Sequence, residues 1–552
     1  MERTALKPPK DNNPMQKTRS RPVFLLYALC GALTALPMVF SPLWILSWIA
    51  PAGAFVISFF APAQNKHPLR RAWSRGLSFF YCYGLVVFYW FIELYPLDFA
   101  GLDKWGSLAV ILVAWFGLPL LQGVFAALQF LLLHLLSRKC ARHQIPGSPV
   151  LLSLAAASLW VVFEWMQTLT WAGVPWGKLA LTQTGWVPLI QSASLLGSYL
   201  VSFLIIFCSS LLACAIYYLK KSGPRRTAAF AGAALCVFGG NLLYGVLRCH
   251  LYQPEGEAVT VAAIQGNIAS SEKWDDKTNN TLDVHEKLTL EAADDGANLI
   301  LWPETALPYV YSEGGRLDEY LTNLAEEAGV PIFAGFFIQD EELNLYNVIG
   351  KVEPDTGMGD TFYKKRRLVP FGEFVPMRDL VMFLIPPLSQ LSALDSDVTP
   401  GTDPELFDTA YGKVGSIICF DSIYESLVLD SVRAGANLIC ISTNDSWFKD
   451  SAAVYEHNAH AKLRAIENGR YVVRAANTGI SSIITPTGEV TESLPPLVEG
   501  YILDEVYMIS DNTLYTMVGN ILILAAGVYV IALFLWPAAG KKSGEAAHDD
   551  SN

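Results

Sequence analysis

The sequence predicts two structural parts, a polytopic α-helical membrane domain of eight spans and an α/β domain of layered sheets and helices. Composition is the first reason, because 52% of the 552 residues are hydrophobic, too many for a protein that lies wholly in water. Charge is the second, since residues 249–512 hold 17 Lys and Arg against 42 Asp and Glu, whereas the rest of the chain holds 22 against 9. The third is the hydrophobic pattern, which changes from long apolar runs to short β-branched runs within the acidic segment.

Eight apolar runs form the predicted membrane domain. Most are long enough to cross a hydrocarbon core of roughly 30 Å, which takes about 20 helical residues. The basic segment before the first run also suits a secretory signal peptide, but a second run follows almost at once and favours a retained span. The shortest run contains Glu164. The predicted spans lie at about 22–40, 42–62, 77–97, 107–135, 150–166, 187–219, 227–247 and 514–537.

The loops between the spans predict the orientation of the chain. Lys and Arg near span ends are retained on the cytoplasmic side of a membrane. They are concentrated in the N-terminal tail and in the second, fourth and sixth loops, so both termini are predicted to be cytoplasmic. The predicted division is a cytoplasmic tail at 1–21, seven spans at 22–248, an extracytoplasmic domain at 249–512, the eighth span at 513–537 and a cytoplasmic tail at 538–552.

The acidic region alternates strands with helices, which is typical of an α/β layered domain. Most of the predicted strands are continuously apolar, as expected for strands that are buried on both faces. Segments 283–295 and 317–328 are predicted to be amphipathic helices. The predicted strands are 259–264, 298–302, 330–337, 414–419, 437–442 and 471–476.

Residues 377–402 differ from the rest of this region. An apolar patch at 380–387 precedes a stretch rich in Ser, Asp, Pro and Gly, a composition that suits a long mobile loop. One hypothesis is a lid that dips into the outer leaflet beside the active site, with 389–401 as its hinge. The alternative is a short helix that is buried in the core of the domain itself.

The sequence argues against nucleic-acid binding, a disulfide framework and a metal site. Nucleic-acid binding rests on cationic contacts to phosphate, which an acidic domain does not offer. The nine cysteines show neither a disulfide framework nor the spacing of zinc ligands. His457 and His460 stand three residues apart on a predicted helix, but no third ligand follows at a recognisable spacing. Packing and hydrogen bonding are the favoured interpretation of both, and no metal or organic cofactor is expected.

Three reactive side chains follow hydrophobic segments, at positions where a sheet presents its strand ends to a ligand. They are Glu304, Lys365 and Cys419. A neutral thiol is a poor nucleophile, so a catalytic cysteine needs a base such as Glu304 and a positive charge such as Lys365, which can also stabilise an oxyanion. Glu373 can orient either group. Each residue alone also has a structural interpretation. Cys419 can be a buried core thiol, Glu304 an exposed carboxylate at a helix start, and Lys365 part of a solvated basic run at 364–367.

Further motifs surround these residues. They are Trp302-Pro303-Glu304-Thr305, the Lys365-to-Glu373 spacing across Leu-Val-Pro-Phe-Gly, Thr443-Asn444-Asp445-Ser446-Trp447-Phe448, Gln265-Gly266-Asn267, Lys273-Trp274, His457, Arg464, Ala465 and Glu467. With the order of Glu, Lys and Cys, they resemble one branch of the nitrilase superfamily, the bacterial apolipoprotein N-acyltransferases, and the similarity covers the whole chain. The resemblance implies a nitrilase-like α-β-β-α sandwich for the extracytoplasmic domain.

The resemblance also implies roles for individual positions. In the family the catalytic lysine stands eight residues before the glutamate of a Gly-Glu pair, which excludes Lys364. Family members commonly have Tyr-Glu after the nucleophile, where this chain has Phe420-Asp421, so aromatic and acidic character is kept but a hydroxyl is lost. The implied roles are general base for Glu304, catalytic lysine for Lys365, nucleophile for Cys419, and supporting residues for Glu373, Trp274 and Asp421.

The implied function is the completion of lipoprotein maturation at the bacterial cytoplasmic (inner) membrane, with the catalytic domain on the periplasmic face. A phospholipid would donate an acyl chain, Cys419 would hold it as a thioester, and the α-amino group of the diacylglyceryl-cysteine of an apolipoprotein would accept it in ping-pong kinetics. One alternative is a membrane-tethered nitrilase-type amidohydrolase, against which the number of spans argues, since one helix suffices as a tether. The other is a multispan transporter or scaffold without catalysis, against which the set of motifs argues.

Overall fold

The structure is a computed structural model that describes residues 21–60, 67–97, 103–221, 223–269, 279–379, 383 and 397–536. In this part of the chain, the helices are α1 (Arg21–Val39), α2 (Leu46–Ile49), α3 (Pro51–Phe60), α4 (Pro68–Val87), α5 (Lys104–Ala126), α6 (Leu128–Arg142), α7 (Ser148–Met166), α8 (Ala193–Leu196), α9 (Ser198–Lys221), α10 (Pro224–Leu251), α11 (Asn279–Asp294), α12 (Arg316–Ala328), α13 (Glu425–Arg433), α14 (Ala452–Asn468), α15 (Leu514–Val518) and α16 (Ile521–Leu535). The strands are β1 (Glu257–Gln265), β2 (Leu299–Leu301), β3 (Val310–Tyr311), β4 (Ile332–Gln339), β5 (Leu345–Glu353), β6 (Gly357–Lys364), β7 (Leu406–Thr409), β8 (Gly412–Ile418), β9 (Leu438–Thr443), β10 (Val472–Ala476), β11 (Ser481–Ile484), β12 (Val490–Leu494) and β13 (Gly500–Met508).

Long apolar helices make up the described residues before β1. By length and composition, six helical segments of the described residues can cross a membrane. They are Pro22–Val39, Ser41–Phe60, Lys104–Arg142, Ser148–Leu169, Ser198–Lys221 and Pro224–Leu251. The expected membrane part is therefore present as apolar helices, whereas the number of eight spans stays a prediction.

Three of the predicted spans differ from the helices of the structure. The third, predicted at 77–97, is α4, which begins at Pro68 and includes Arg70, Arg71 and Arg75 in its first two turns. The sixth, predicted from 187, begins only at Ser198, because the chain before it forms a 3₁₀ turn with Pro188 and the four-residue helix α8. The eighth corresponds to α16, an apolar helix of 15 residues.

Two sheets form the centre of the α/β region. The first has the order β13-β1-β2-β4-β5-β6, with β3 beside β4, and the second has the order β12-β11-β10-β9-β8-β7. β1, β2 and β4 are parallel to one another, as are β8, β9 and β10, and antiparallel strands complete both sheets. The sheets pack face to face through β1 and β10, while α11 and α12 cover the first sheet and α13 and α14 cover the second. The result is an α-β-β-α sandwich.

Each of the six predicted strands corresponds to a strand of the structure, namely β1, β2, β4, β8, β9 and β10. These are the central parallel strands, and their mostly buried residues explain the continuous apolar runs. Helices α11 and α12 also match their predicted positions. The sequence did not predict the antiparallel strands, because strands such as β6 and β12 are largely exposed or half-buried and carry no such run.

Residues 167–196 connect α7 to α9 and lie between the membrane helices and the α/β region. They form a series of 3₁₀ turns. Trp176 Nε1 donates to Glu456 Oε2 at 2.6 Å, and Gln191 Nε2 donates to the carbonyl of Thr487 at 2.7 Å. This connection therefore fixes the α/β region against the membrane helices through hydrogen bonds. The predicted lid at 377–402 lies for the most part outside the described residues.

Candidate active site

Three loops that follow β2, β6 and β8 bring the predicted reactive residues together. Glu304 lies three residues beyond the last residue of β2, Lys365 directly follows β6, and Cys419 directly follows β8. β2 and β6 belong to the first sheet and β8 to the second, so the cluster lies between the two sheets. All three side chains are buried.

A single ammonium group joins the two glutamates. Lys365 Nζ donates to Glu304 Oε1 at 2.7 Å and to Glu373 Oε1 at 2.8 Å. An ammonium has three protons, so these two bonds leave one proton of Lys365 for a third acceptor. The arrangement provides one donor that can turn toward negative charge developing beside Cys419.

Asn347 and the backbone of Asn444 complete the hydrogen bonding of the two carboxylates. Asn347 Nδ2 donates to Glu304 Oε1 at 2.8 Å and to Glu373 Oε1 at 3.2 Å, and the Asn444 amide donates to Glu304 Oε2 at 3.0 Å. Glu373 Oε2 accepts from the Val369 amide at 2.8 Å. Each carboxylate is therefore held at both oxygens, which fixes its position relative to Lys365.

Cys419 occupies a strained turn between β8 and a 3₁₀ helix at Cys419–Ile423. Its φ of +49° lies in the left-handed region, which is costly for a residue with a Cβ. Thr305 and Phe371, which lie beside Glu304 and Glu373, also have positive φ values. Each of the three loops that carry the reactive residues therefore contains at least one residue in a strained backbone conformation, which is common at active sites.

Burial and charge set the protonation of the thiol and the ammonium. Burial raises the pKa of the Cys419 thiol, and Glu304 raises it further, whereas Lys365 and the Thr443 hydroxyl oppose this change. Burial alone would lower the pKa of Lys365, but Glu304 and Glu373 outweigh it and hold that pKa well above its ordinary value. The resting site therefore contains a neutral thiol and a charged ammonium, and the thiol must lose its proton as it attacks.

Asp421 fixes the segment that carries Lys365. Its Oδ1 accepts from the Arg367 amide at 2.6 Å, and its Oδ2 accepts from the Tyr363 hydroxyl at 2.9 Å and from the Arg366 amide at 3.3 Å. Burial raises the pKa of Asp421 to about 6, although Lys365 and these hydrogen bonds oppose the rise. Asp421 thus connects the turn of Cys419 to both sides of Lys365.

His457, Asp445 and Arg474 form a buried hydrogen-bonded group that contacts the carbonyl of Cys419. His457 Nε2 lies 3.1 Å from that carbonyl oxygen and 3.0 Å from Ser422 Oγ, and its Nδ1 lies 2.8 Å from Asp445 Oδ1. Arg474 Nη2 donates to Asp445 Oδ2 at 2.7 Å. Burial favours the neutral form of Asp445, but His457 and Arg474 outweigh it and hold its pKa well below the ordinary value. The result is a rigid, charged support for the nucleophile turn.

Cys419, Asp445 and His457 place possible metal-ligand atoms within 4.8 Å of one another. The donor set does not suit a metal ion, because Nδ1 of His457 faces Asp445 and the other oxygen of Asp445 accepts from Arg474. The guanidinium of Arg474 would also repel a cation there. Hydrogen bonding, which the sequence favoured for His457 and His460, is what both rings show in the structure, since His460 Nε2 lies 3.1 Å from the Trp176 carbonyl oxygen.

Lys364 and Trp274 are the other candidates from the sequence. Lys364 points to the ring of Tyr346, with its Nζ 4.2 Å from the ring centroid, and makes no contact with the glutamates. Trp274 lies outside the described residues. Sequence reasoning missed Asn347 and the contacts that join Asp445, His457 and Arg474. Asn347, at the start of the buried stretch 347–350 of β5, was the available signal for the first, since a buried amide needs partners.

The chain is similar to known proteins in both of its parts. Residues 260–508 match the carbon-nitrogen hydrolase family, and residues 30–211 match the apolipoprotein N-acyltransferase N-terminal domain. Two relatives called apolipoprotein N-acyltransferase come from Gloeobacter violaceus, with 30% identity over 92% of this chain and 92% of the relative, and from Geobacter metallireducens, with 31% identity over 92% and 94%.

Solved structures from the nitrilase superfamily align with about half of this chain. Saccharomyces cerevisiae Nit3, a member of branch 10 of the nitrilase superfamily, is 19% identical and aligns with 46% of this chain and 91% of its own, with a TM-score of 0.37. A mutant of the Nesterenkonia AN1 amidase of the same superfamily is 16% identical over 48% of this chain and 95% of its own, with a TM-score of 0.36.

Proposed function

The chain belongs to the apolipoprotein N-acyltransferase family, acyltransferases of lipoprotein maturation, and from this premise we propose that Cys419 carries the acyl group as a thioester between two half-reactions. The observation that carries this proposal is the ammonium of Lys365 held between Glu304 and Glu373, close to a buried thiol. Acyl transfer through a thiol needs a base, an oxyanion donor and a nucleophile, and Glu304, Lys365 and Cys419 are a carboxylate, an ammonium and a thiol that interact electrostatically.

In the first half-reaction the donor is a membrane phospholipid. Cys419 is a neutral thiol at rest, so it needs a base, and Glu304 is the carboxylate with the strongest electrostatic effect on it. Cys419 Sγ attacks an ester carbonyl carbon while its proton passes to Glu304. The free proton of Lys365 stabilises the oxyanion of the tetrahedral intermediate. When the C–O bond of the ester breaks, the lysophospholipid oxygen takes the proton from Glu304, and the acyl chain remains on Cys419 as a thioester.

In the second half-reaction the acceptor is the α-amino group of the diacylglyceryl-cysteine of an apolipoprotein. The amine attacks the thioester carbonyl and gives a proton to Glu304, while Lys365 again stabilises the oxyanion. The C–S bond then breaks and the thiol regains its proton. Glu304 thus serves both half-reactions as base and then acid, and Glu373 keeps Lys365 charged and in place.

A thioester survives until the amine arrives only if water is kept from it. Cys419 is 8% exposed, and the α/β region lies directly against the connection between α7 and α9. A site at the membrane surface receives two lipid-like substrates laterally and is poorly wetted, which favours transfer over hydrolysis. This argues against an amidohydrolase that uses water as the final acceptor.

The cellular placement is part of the same proposal. We place the α/β region, at about 249–512, on the periplasmic face of the bacterial inner membrane, between a seven-span domain at 22–248 and an eighth span at 513–537. The concentration of Lys and Arg in alternate loops supports this orientation.

Intact-mass measurement of the purified protein tests the proposed function. Incubation with phospholipid vesicles is expected to add one acyl chain at Cys419, and addition of a diacylated lipopeptide is expected to remove it and to yield a triacylated lipopeptide. Cys419→Ala is the control that cannot form the adduct. Rapid discharge of the adduct by water alone would favour the amidohydrolase, and no adduct under any condition would refute the thioester mechanism.

A further inference from the structure

Four charged side chains are buried where the membrane helices meet the nucleophile turn. They are Lys178, Glu425, Arg464 and Glu467, each with 0% or 1% of its surface exposed. Lys178 belongs to the connection between α7 and α9, and the other three belong to the α/β region. The set has two positive and two negative charges. Its members take no part in the reaction described above.

The first of two links runs from Lys178 to the residue that begins α13. Lys178 Nζ forms an ion pair with Glu425 Oε2, and the Tyr199 hydroxyl at the start of α9 donates to Glu425 Oε1 at 2.6 Å. The ammonium also lies 4.5 Å from the centroid of the Tyr199 ring. One residue separates Glu425 from the turn at Cys419–Ile423. Lys178 and Tyr199 therefore bind a carboxylate that lies close to the nucleophile in the chain.

The second link runs from α9 to the last residue of the same turn. The Ser198 amide donates to Glu467 Oε1 at 2.8 Å, and Arg464 Nη2 donates to the same oxygen at 2.9 Å. Arg464 Nη1 in turn donates to the carbonyl of Ile423 at 3.4 Å. The nucleophile turn is therefore connected to the membrane helices through Glu425 and through Arg464.

Ions buried this deeply are a poor way to gain stability alone. Removing two charges from water costs several kcal/mol for each ion, and an apolar pair of similar size is often as stable or more stable. Loss of one partner, by contrast, leaves a buried charge without compensation. Burial alone would raise the pKa of Glu425, but Lys178 and Arg464 outweigh it and keep that pKa below its ordinary value. The buried pair of Lys178 and Glu425 is therefore better explained by a role in fixing one arrangement of the two segments than by a gain in stability.

We propose that Lys178 is a positioning residue, through which the membrane helices hold the turn of Cys419 in its strained, reactive geometry. This inference rests on the proposed function, and it assigns the membrane domain a part in the chemistry beyond anchoring. Cys419 keeps a positive φ only if its neighbours hold it, and Lys178 acts on Glu425, two residues beyond the 3₁₀ turn. A soluble amidase with the same reactive residues would need another means of holding this turn.

Two variants and a matched control test the proposal in the full-length protein. Lys178→Met removes the ammonium and keeps most of the volume, and Lys178→Met/Glu425→Gln also removes the carboxylate charge. Arg248→Met is the control. Arg248, near the end of α10, bonds Gln191 Oε1 of the connection and, at 3.3 Å, the carbonyl of Pro486, but the described residues show no hydrogen bond or ion pair between it and residues 419–425. The measurements are the melting temperature and the rate of adduct formation on Cys419 from phospholipid vesicles.

Lys178→Met is expected to lower the melting temperature and to slow adduct formation by about tenfold or more, since the turn loses its partner. The double variant is expected to regain most of the melting temperature but not the rate. Arg248→Met is expected to change the rate by less than about twofold. Recovery of the rate together with the melting temperature in the double variant would overturn the proposal and leave the pair a purely structural role. Absence of the adduct in the unsubstituted protein would instead refute the proposed function.

Discussion

In the mechanism proposed above, both half-reactions depend on the Lys365 ammonium. Two of its three protons are bound to glutamates, and the third has no hydrogen-bond acceptor among the described residues and can bind an oxyanion. Lys365→Ala and Glu304→Gln are each expected to slow formation of the acyl adduct by about a hundredfold or more, as the loss of an oxyanion donor or a general base does. Lys364→Ala is the matched control, and we expect it to be nearly neutral, since the Lys364 ammonium lies over the ring of Tyr346 and forms no ion pair with Glu304 or Glu373 in the part of the chain that the structure describes. An inactive Lys364→Ala with an active Lys365→Ala would reverse the assignment. Intact mass against time measures all three rates.

Glu456 leads to a prediction about pH. Its Oε2 accepts from Trp176, its Oε1 has no hydrogen-bond partner among the described residues, and burial raises its pKa from the ordinary 4.5 to about 8. The folded protein therefore keeps this proton to a higher pH than the unfolded chain does. Unfolding releases the proton between these two values, so the free energy of unfolding falls as the pH rises through that window.

The replacement Glu456→Gln tests this pH dependence. It keeps the acceptor for Trp176 and removes the titration, so the melting temperature of the variant is expected to fall less than that of the unsubstituted protein between about pH 5 and about pH 8. Thermal unfolding monitored by intrinsic fluorescence at several pH values measures the difference. Parallel curves for the two proteins would show that Glu456 is already ionised in the fold.

At the scale of the residue, the sequence predicted the candidate reactive side chains and missed the residues whose importance comes from contacts between distant parts of the chain. Glu304 and Cys419 follow the apolar strands β2 and β8, whereas Lys365 follows β6, which has no apolar run and was not predicted as a strand. Asn347 lies within a strand, and its two bonds to carboxylates depend on the pairing of β5 with β6, which the sequence did not predict. Lys178 and Glu425 are 247 positions apart in the chain, so no local pattern could relate them.

At the scale of the element, the loop after β6 holds Lys365 through Asp421, and this leads to a third prediction. Asp421→Asn is expected to leave one part-buried amide of the Lys365 segment without its acceptor, at a cost of about 1 kcal/mol, and to slow adduct formation by about tenfold or more. Tyr363→Phe is the control, because it removes one hydrogen bond to Asp421 and leaves both backbone amides bound. Equal effects of the two variants on the rate would show that Asp421 does not position the loop.

The predicted elements agree with the structure where a strand or helix has a strong pattern of its own. The parallel strands β8, β9 and β10 have mostly buried residues and were read directly from their apolar runs. The antiparallel strands at the sheet edges and the 3₁₀ turns of 167–196 have no such pattern, since their conformations depend on the surfaces that they cover. The start of the predicted span at 187 was wrong for the same reason, because apolarity alone does not distinguish a buried turn from a membrane helix.

At the scale of the whole molecule, charge and hydrophobicity divide the chain into two parts, but only the structure relates them. The connection between α7 and α9 carries Trp176, Lys178 and Gln191, each bonded to the α/β region. A chain in which the membrane part served only as an anchor would not need buried ion pairs at this contact. The number of spans and the side of the membrane remain predictions that follow from the loops.

Accessibility labelling decides the orientation with two residues that the structure shows to be exposed. Leu343, in the turn between β4 and β5, is 73% exposed, and Gln144 lies in the short loop after α6, among the basic residues that predict a cytoplasmic loop. A cysteine from Leu343→Cys is expected to react with a membrane-impermeant thiol reagent in spheroplasts with a sealed inner membrane, and one from Gln144→Cys only after permeabilisation. The unsubstituted protein gives the background from its own cysteines. Labelling of Gln144→Cys before permeabilisation, with Leu343→Cys protected, would invert the proposed topology and place Cys419 on the cytoplasmic side, away from exported lipoproteins.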